Sequence, residues 1–356
     1  MAFPADWSSK LEIRSDATKV SGSSNLTDYP SLIADGNLTS AVYAGLETDG
    51  KDLRITTDEA GTTEIPFEIV AMDTSAETCE IWAKIPTLDY DDDTSLFIWY
   101  GNSSAVAYAV DDTFGSQAVW SDYGAVYHME GNSNDSTDGG HTGTDTSITY
   151  STANGEIGQG AGLNGSSSKI TAPDANELDL TGNHTIQTWF NTNVNNAYEA
   201  MVEKYTSGNG YYFRLNDSGE LVFGNQAIPQ GSNITGSTVV GTNTWKMGHG
   251  TYDGTNIRVY LNGSQDGISA SYTYGNVNSA ATLKLGVRGD NGSSIPYSGE
   301  LDEVRIRESA LSADWCLTEY NNQNSPSTFW TPVLIFTTNY LKYYRRTRFP
   351  GSITGV

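Results

Sequence analysis

Residues 245–262, Trp245-Lys-Met-Gly-His-Gly-Thr-Tyr-Asp-Gly-Thr-Asn-Ile-Arg-Val-Tyr-Leu-Asn262, contain two short runs in which apolar and polar residues alternate. Between the runs lies Tyr252-Asp-Gly-Thr-Asn256, which is rich in residues that favour turns. Alternation on both sides of such a turn predicts an antiparallel β-hairpin. The stretch therefore indicates a fold made of paired strands.

The composition of the whole chain agrees with this prediction. The 356 residues include 37 Gly and 21 Tyr, and Ser and Thr are abundant. Many short strands joined by Gly, Asn and Asp turns are typical of all-β sandwiches and barrels. At roughly 100–200 residues per domain, the length allows two or three domains with sizeable cores.

The first 115 residues contain further strand candidates. Their apolar residues alternate or cluster over short segments, and the last one stops at the turn signal Gly101-Asn102. These segments are Lys10–Arg14, Asp52–Thr56, Cys79–Ile85 and Thr94–Tyr100. We therefore predict a small β-sandwich domain over 1–115, followed by a linker at 116–123.

Two segments near residue 310 complete the list of predicted elements. The alternation in 300–306 predicts a strand on which Asp302 shares the apolar face with Val304 and Ile306. Ser312, followed by Ala-Asp-Trp, is an N-cap with an acid in the first turn, and it predicts a helix near 313–321. A carboxylate that points at a core must be hydrogen-bonded, protonated or bound to a metal.

The charge excludes some partners. The formal net charge is -24 and the pI is about 4.3. Such a surface repels phosphate backbones and anionic lipid, so we expect neither nucleic-acid binding nor membrane insertion. The opening residues lack the basic and apolar regions of a signal peptide, so we expect synthesis in the cytoplasm. Cys79 and Cys316, far apart in the chain, are expected to be two buried thiols.

Residues 1–115 resemble a prokaryotic and viral family of unassigned function that often precedes a lectin-like domain. The resemblance brings no chemistry with it. It is carried by Trp7, Asn25-Leu-Thr-Asp-Tyr-Pro30, Gly50-Lys-Asp-Leu-Arg-Ile-Thr56, Ile65-Pro-Phe-Glu-Ile69, Ile81-Trp-Ala-Lys-Ile-Pro86 and Trp99-Tyr-Gly-Asn102.

From Gly124 onward the chain resembles the LamG-like branch of the concanavalin A-like jelly rolls. The resemblance implies that residues 124–325 form a second β-sandwich domain, in series with the first. The matching blocks are Ala125–Glu130, Asn134–Gly143, Gly158–Gly165, Leu180–Phe190, Trp245–Asn262, Gly299–Ile306 and Ala310–Asp314.

The resemblance also implies a possible Ca²⁺ site. In LamG-like relatives the position that matches Asp302 often helps to hold Ca²⁺, together with the aspartate that opens a hydroxyl- and Gly-rich loop, here Asp135. The loop Asp135-Ser-Thr-Asp138-Gly departs from the usual pattern, and it adds Asp138 as a candidate ligand. Carboxylates and backbone carbonyls suit this hard cation. A purely hydrogen-bonded Asp302 is the alternative.

Catalysis is not expected. Jelly-roll β-glucanases carry Glu-x-Asp-x-Glu or Glu-x-Asp-x-x-Glu on one strand, whereas Glu300-Leu-Asp is followed here by Glu303, Val304 and Arg305. The second glutamate is therefore missing, although a retaining glycosidase needs two carboxyls. None of the four His residues has metal-ligand spacing. Tyr198, Tyr272 and Tyr274 lie in polar stretches and are candidates for stacking on sugar rings.

Residues 326–356 form a basic aromatic arm. The segment has four of the 19 basic residues of the chain and none of its 43 acidic ones. A basic, apolar segment on an acidic body predicts docking, onto its own domains or onto a neighbouring subunit. The candidate docking residues are Phe329, Trp330, Lys342, Arg345, Arg346 and Arg348.

Together these features favour a non-enzymatic structural or adhesive virion protein, such as a phage or archaeal-virus fibre, decoration or receptor-binding subunit. Its expected partners are other copies of itself, neighbouring virion proteins and a cell-surface glycan. Its expected location is the virion surface, after synthesis in the host cytoplasm. One alternative is a cell-surface or secreted carbohydrate-binding protein, which would be extracellular; the other is a jelly-roll glycoside hydrolase.

Overall fold

The computed structural model describes residues 3–206, 208–225, 233–271, 279–290 and 292–333. The fold is nearly all β, with 43% strand and 12% helix. The all-β prediction is therefore confirmed. Among the described residues, no helix combines the length and the apolar character that crossing a membrane requires.

The N-terminal elements form two antiparallel sheets. In chain order they are β1 (Ser9–Ser15), β2 (Leu26–Ala34), α1 (Ser40–Gly45), β3 (Arg54–Thr56), β4 (Phe67–Asp73), β5 (Thr78–Leu88), β6 (Ser95–Tyr100) and α2 (Ser116–Val119), with 3-10 turns at Ala17–Lys19 and Asp35–Asn37. The strands predicted at 10–14, 79–85 and 94–100 are all present, and the one predicted at 52–56 begins at Arg54.

The following residues form the larger sandwich and the C-terminal helices. The elements are β7 (Tyr123–Tyr127), β8 (Thr144–Thr146), β9 (Thr149–Ser151), β10 (Gly160–Asn164), β11 (Lys169–Ala172), β12 (His184–Thr192), β13 (Glu199–Thr206), β14 (Asn209–Leu215), β15 (Glu220–Asn225), β16 (Asn233–Val239), β17 (Lys246–Tyr252), β18 (Asn256–Leu261), β19 (Ser264–Gln265), β20 (Ala270–Ser271), β21 (Leu283–Leu285), β22 (Ser298–Arg307), α3 (Ala313–Asn324), α4 (Pro326–Phe329) and β23 (Trp330–Pro332), with 3-10 turns at Thr152–Asn154 and Asn176–Leu178.

The second domain is a jelly-roll sandwich, as predicted. One sheet has the order β19-β18-β17-β12-β22-β10-β9, with β20 beside β18 and β7 beside β22. We call it the covered sheet, because its outer face packs against the N-terminal domain. The second sheet has the order β16-β15-β14-β13-β21-β11-β8. Their inner faces bury a shared apolar core that includes Phe190, Phe213, Phe223, Val304 and Ile306.

The predicted hairpin at 252–256 is present between β17 and β18, in which Tyr252 pairs with Ile257. The Asp253 carboxylate accepts hydrogen bonds from the backbone N–H groups of Thr255 (2.9 Å) and Asn256 (2.7 Å). A side chain that satisfies the turn's own backbone in this way favours the turn locally.

The N-terminal domain and the jelly roll share a large apolar contact. The outer face of the covered sheet contributes Val126, Trp189 and Met247, and these side chains cluster with Trp82 on β5. Trp120, in the segment predicted as a linker, is fully buried in the same cluster, with its ring centroid 5.7 Å from that of Trp82. Residues 116–123 are therefore part of the packed interface.

Helix α3 completes this interface. The Ser312 hydroxyl accepts a hydrogen bond from the Trp315 N–H (3.1 Å), so the predicted N-cap is confirmed, and the helix continues to Asn324. Trp315 and Cys316 contribute to the core of the N-terminal domain, whereas Glu319 faces the covered sheet. Cys79 and Cys316 are both free and buried, as predicted.

The start of the C-terminal arm belongs to the N-terminal domain. Strand β23 adds to the edge of β1, with Ser15 opposite Trp330, and Phe329 and Trp330 are fully buried in that core. Of the two docking partners that the sequence left open for Phe329 and Trp330, the structure has the chain's own N-terminal domain rather than a neighbouring subunit. Lys342, Arg345, Arg346 and Arg348 lie outside the described residues.

Candidate functional site

The site lies where strand β22 meets the N-terminal domain, and a β-bulge determines it. Gln187 on β12 pairs with Arg305, but Trp189 pairs with Asp302, so Glu303 and Val304 together stand opposite one residue of β12. Glu303 has a φ of +48°, which accommodates the extra residue. The predicted alternation is therefore wrong here: Leu301 and Val304 enter the sandwich core, and Asp302 does not share their face.

Asp302 is fully buried on the outer face of the covered sheet. Its carboxylate accepts hydrogen bonds from the backbone N–H groups of Glu156 (3.0 Å), Ile157 (2.9 Å) and Glu303 (2.8 Å). Burial raises the pKa of Asp302 well above its ordinary value, and the nearby Glu303 charge raises it further. These three bonds fasten the segment 156–157 to β22.

The other two predicted calcium ligands lie in the loop after β7. The Asp135 carboxylate accepts bonds from the N–H groups of Val126 (3.0 Å), Thr137 (3.0 Å) and His141 (2.8 Å), and Asp138 is exposed. We looked among the described residues for groups of three or more Asp, Glu, His or Cys side chains whose ligand atoms all lie within 4.8 Å of one another. No such group includes Asp135, Asp138 or Asp302. The calcium site at these residues stays a prediction.

Beside Asp302, a buried ion network connects the two domains. His128, next to the end of β7, places Nδ1 2.7 Å from Glu303 Oε1 and 3.5 Å from Glu80 Oε1, and Nε2 3.2 Å from Glu68 Oε2. Burial acts to lower the pKa of His128, but Glu303 and Glu68 raise it well above its ordinary value. Burial acts to raise the pKa of Glu303, but His128 and Arg305 lower it to about 2. The geometry fits an imidazolium held between carboxylates.

Arg305 is the second cation of the network. Its Nη2 lies 2.5 Å from Glu303 Oε2, and its Nη1 lies 3.2 Å from Glu319 Oε1 on helix α3. The guanidinium stacks on Trp82, at 3.9 Å from the ring centroid, and on Trp120, at 4.7 Å. Aromatic faces and two carboxylates thus replace the water that a buried guanidinium loses.

A cleft of about 590 Å³ opens next to this network, between the two domains. The N-terminal domain contributes Asp35 and Glu80 to its wall, and the jelly roll contributes Glu130 and Glu156. Burial raises the pKa of Glu156 to about 7. No described residue of the lining carries a positive charge, so the cleft is strongly acidic.

The predicted sugar-stacking residues are spread apart. Tyr198 is 47% exposed before β13, and Tyr272 and Tyr274 lie outside the described residues. Tyr205 and Tyr212 form a more compact aromatic group on the second sheet, on the side opposite the sandwich core, but they are only 1% and 5% exposed. The Arg214 guanidinium lies 3.8 Å from the Tyr212 ring centroid, and its Nε lies 2.9 Å from Glu203 Oε1.

Sequence reasoning missed this group and the ion network. The signal for the network was a charged triplet, Glu303, Arg305 and Arg307, inside a strand that the apolar alternation otherwise makes a core strand. Charged residues on such a strand indicate that its outer face is covered by other elements of the protein, whose side chains form ion pairs with these charges. The partners, Glu68, Glu80 and Glu319, lie on β4, β5 and α3, so their identity depends on how these three elements dock.

The comparisons with known proteins agree with the two-domain organisation. Residues 164–315 match a family model described as the concanavalin A-like lectin/glucanases superfamily. Residues 49–142 match a model for a domain of unknown function, DUF2341. Both matches agree with the resemblances that the sequence shows. No curated protein gave a significant match.

Among solved structures, the chain is similar to domain 4 of AbnA, a GH43 extracellular arabinanase from Geobacillus stearothermophilus, which was solved in complex with arabinotriose. The two are 23% identical, the match covers 56% of this chain and 98% of that one, and the TM-score is 0.45. The binding domain of Paraclostridial Mosquitocidal Protein 1 is similar at 16% identity over 53% and 49%, with a TM-score of 0.46. The botulinum neurotoxin serotype G binding domain is similar at 15% identity over 56% and 50%, with a TM-score of 0.44. This chain spans about half the length of each toxin domain.

Proposed function

We propose that the protein is a non-enzymatic structural or adhesive virion component, a fibre, decoration or receptor-binding subunit, whose lectin-like domain binds a glycan. One observation carries the proposal: the N-terminal domain covers the sheet face that bears the Glu300–Arg305 strand. Asp302 and Glu303 are fully buried beneath it. The concanavalin A-like fold is thus combined with a second domain that covers the strand on which jelly-roll glucanases carry their catalytic acids.

The covered strand lacks the groups that glycoside hydrolysis requires. A retaining glycosidase needs two carboxyls about 5–5.5 Å apart on either side of the sugar bond. Asp302 is engaged by three backbone N–H groups, and Glu303 by His128 and Arg305. Glu300 is the only partly exposed acid in this part of β22. These engagements favour binding without turnover.

Among the described residues, Tyr198 is the exposed aromatic candidate for contact with a sugar. It lies just before β13 and is 47% exposed, and aromatic rings stack on the apolar faces of sugars. Tyr205 and Tyr212 are only 1% and 5% exposed, so their rings are packed within the protein. We assign the glycan to the surface around Tyr198.

The virion role rests on the organisation of the whole chain. The acidic surface favours solubility, and the buried interface holds the lectin-like domain rigidly on its N-terminal partner. Such rigidity suits a subunit that presents a binding face at a particle surface and contacts copies of itself or neighbouring virion proteins. A cell-surface or secreted carbohydrate-binding protein is the alternative, since it would need the same binding face.

Three measurements test the proposal. The full chain should bind members of a glycan array, and Tyr198→Ala should weaken this binding, while Val110→Ala, at an exposed apolar residue of the N-terminal domain, should not. Incubation with laminarin, agar and other β-glucans should release no reducing sugar. Mass spectrometry of purified virus particles should detect the protein. Turnover that disappears in Glu300→Gln would overturn the non-enzymatic part of the proposal. Absence of the protein from particles would overturn the virion role.

A further inference from the structure

Three side chains of the types that bind metal ions meet in the buried network between the domains. Glu80 lies on β5 of the N-terminal domain, His128 follows β7, and Glu303 is on β22. One ligand atom of each lies within 4.8 Å of the other two. His128 Nδ1 is 2.7 Å from Glu303 Oε1 and 3.5 Å from Glu80 Oε1. Donors that share a zinc ion at bond lengths of about 2.0–2.2 Å lie roughly 3–3.5 Å apart, so a small adjustment of these side chains would admit the ion.

Glu80 has a buried oxygen atom that the protein does not satisfy. The residue is 2% exposed, and its Oε1 accepts a hydrogen bond from Trp82 Nε1 at 3.0 Å, but its Oε2 has no hydrogen-bond partner. Protonation does not remove this deficit, because an O–H group at Oε2 would lack an acceptor. A buried polar group without a partner costs free energy. A cation bound to the carboxylate compensates for that cost, since it interacts with the charge that both oxygens share.

The neighbours of His128 hold its ring in the orientation that a metal ligand needs. An imidazole that binds a metal ion through Nδ1 carries its proton on Nε2, and Glu68 Oε2 lies 3.2 Å from this nitrogen. Glu68 is itself fixed, because it accepts hydrogen bonds from Trp120 Nε1 and from Ser136 Oγ (2.8 Å). Metal-ligating His residues almost always donate their second N–H to such a carboxylate, a backbone carbonyl or water. Glu68 is therefore suited to be a positioning residue for His128.

Glu303 is held in a corresponding way. Its Oε2 accepts hydrogen bonds from Arg305 Nε (3.1 Å) and Nη2 (2.5 Å), while its Oε1 faces His128. The contact with Arg305 thus fixes one oxygen and leaves the other directed at the cluster. Ligating carboxylates in metal sites are themselves hydrogen-bonded in this manner. Each of the three side chains is therefore fixed by an outer partner.

We propose that Glu80, His128 and Glu303 bind a Zn²⁺ ion that ties the N-terminal domain to the jelly roll. Zinc commonly combines imidazole nitrogen with carboxylate oxygen and binds four ligands, whereas Ca²⁺ takes oxygen ligands. Water is the fourth ligand, and it enters with the ion from the cleft of about 590 Å³ whose wall includes Glu80. When no ion is bound, a proton on His128 Nδ1 takes its place between the carboxylates. The site shares no residue with the calcium site predicted at Asp135 and Asp302, and it does not depend on the proposed glycan binding.

Zinc titration of the untagged full chain, after treatment with EDTA and dialysis, tests the site. Isothermal titration calorimetry should record one tight equivalent of Zn²⁺ that a hundredfold excess of CaCl₂ does not displace. Loss of an outer partner costs a metal site about 10–100-fold in affinity, so Glu68→Gln should weaken binding by that factor. Glu80→Gln and His128→Asn, which alter ligands, should each weaken it by at least about as much. The matched control is His141→Asn, because His141 pairs with the exposed Glu177 (3.6 Å) and should leave binding unchanged.

The melting temperature separates a bridging ion from general damage to the network. An ion that binds only the folded state stabilises it, so the unaltered chain should melt at a higher temperature in ZnCl₂ than in EDTA. Glu80→Gln, which keeps the shape of the side chain, should remain folded by circular dichroism and lose most of this difference. Absence of Zn²⁺ binding to the unaltered chain would overturn the proposal without any variant. Unchanged affinity in Glu80→Gln and His128→Asn would do so too, as would loss of binding in His141→Asn.

Discussion

The substitution Trp330→Ala tests whether the C-terminal strand is an integral part of the N-terminal domain. Trp330 is fully buried although it lies more than 300 residues from the β1 strand that it pairs with. Its Nε1 donates to Ser31 Oγ at 2.8 Å, and its backbone oxygen accepts from Asn37 Nδ2 at 2.6 Å. Strand β23 is thus held by backbone pairing, by side-chain hydrogen bonds and by burial of a large ring.

The expected cost follows from the buried ring. Truncation of a core Trp to Ala removes its transfer free energy and leaves a cavity, which together amount to about 3–5 kcal/mol. Ser31 retains its contact with Asn322 Oδ1 (3.3 Å), so the lost hydrogen bond adds little. Thr331, the next residue, is exposed. Thr331→Ala should therefore change the free energy of unfolding by no more than about 0.5 kcal/mol.

Urea unfolding, followed by far-UV circular dichroism and by intrinsic fluorescence, measures the difference. Two truncated chains accompany the substitutions: one ending at Val333 should keep the stability of the full chain, and one ending at Ser325 should lose at least as much as Trp330→Ala. A loss below about 1 kcal/mol in Trp330→Ala, or equal stability of the two truncated chains, would refute the assignment of β23 to this core. Deletion from residue 327 onward is expected to destabilise the N-terminal domain for the same reason.

Three further predictions concern pH, calcium and the arm. Burial raises the pKa of Glu156 in the folded state to about 7, above its unfolded value, so the folded state loses stability as pH rises from about 4.5 to 7. Glu156→Gln should therefore raise the melting temperature at pH 8 in EDTA, and it should change the melting temperature little at pH 4. If Asp135 and Asp302 hold Ca²⁺, chelator should lower the melting temperature, by the equivalent of roughly 2.7 kcal/mol at a hundred times Kd. Asp302→Ala should abolish this difference, and an unchanged melting curve in EDTA would contradict the site. If residues 334–356 dock onto a neighbouring subunit, the chain that ends at Val333 should stay folded but fail to oligomerise in analytical ultracentrifugation, and unchanged assembly would contradict that role.

The local elements of the fold were predictable because local patterns encode them. The hairpin at 252–256, the N-cap at Ser312 and the strand at 79–85 each depend on residues that are neighbours in the chain. The bulge at Glu303 was not predictable from alternation, because a positive φ at a glutamate is set by the pairing of β22 with β12. One inserted residue was enough to move Asp302 to the opposite face from the predicted one.

The candidate site was harder to predict because its parts are distant in sequence. Glu80, His128 and Glu303 are far apart in the chain, and only the docking of the two domains brings them together. The segment 116–123 looked like a linker because it is short and lies between two patterned regions, whereas Trp120 shows that it is packed. A Trp in such a short connecting segment indicates that the segment packs against its neighbours, as Trp120 does here.

The buried charges explain why the two domains adopt a single relative position. The apolar part of the interface, including Trp82, Trp189 and Met247, favours association but tolerates small displacements. The ion network does not, because a displacement of the N-terminal domain along β22 would separate Glu68 from His128 and Trp82 from Arg305 and leave buried charges unpaired. Breaking a buried pair costs about 3–5 kcal/mol. The network therefore sets the register of docking, and that register brings Glu80 and Glu130 to the same cleft.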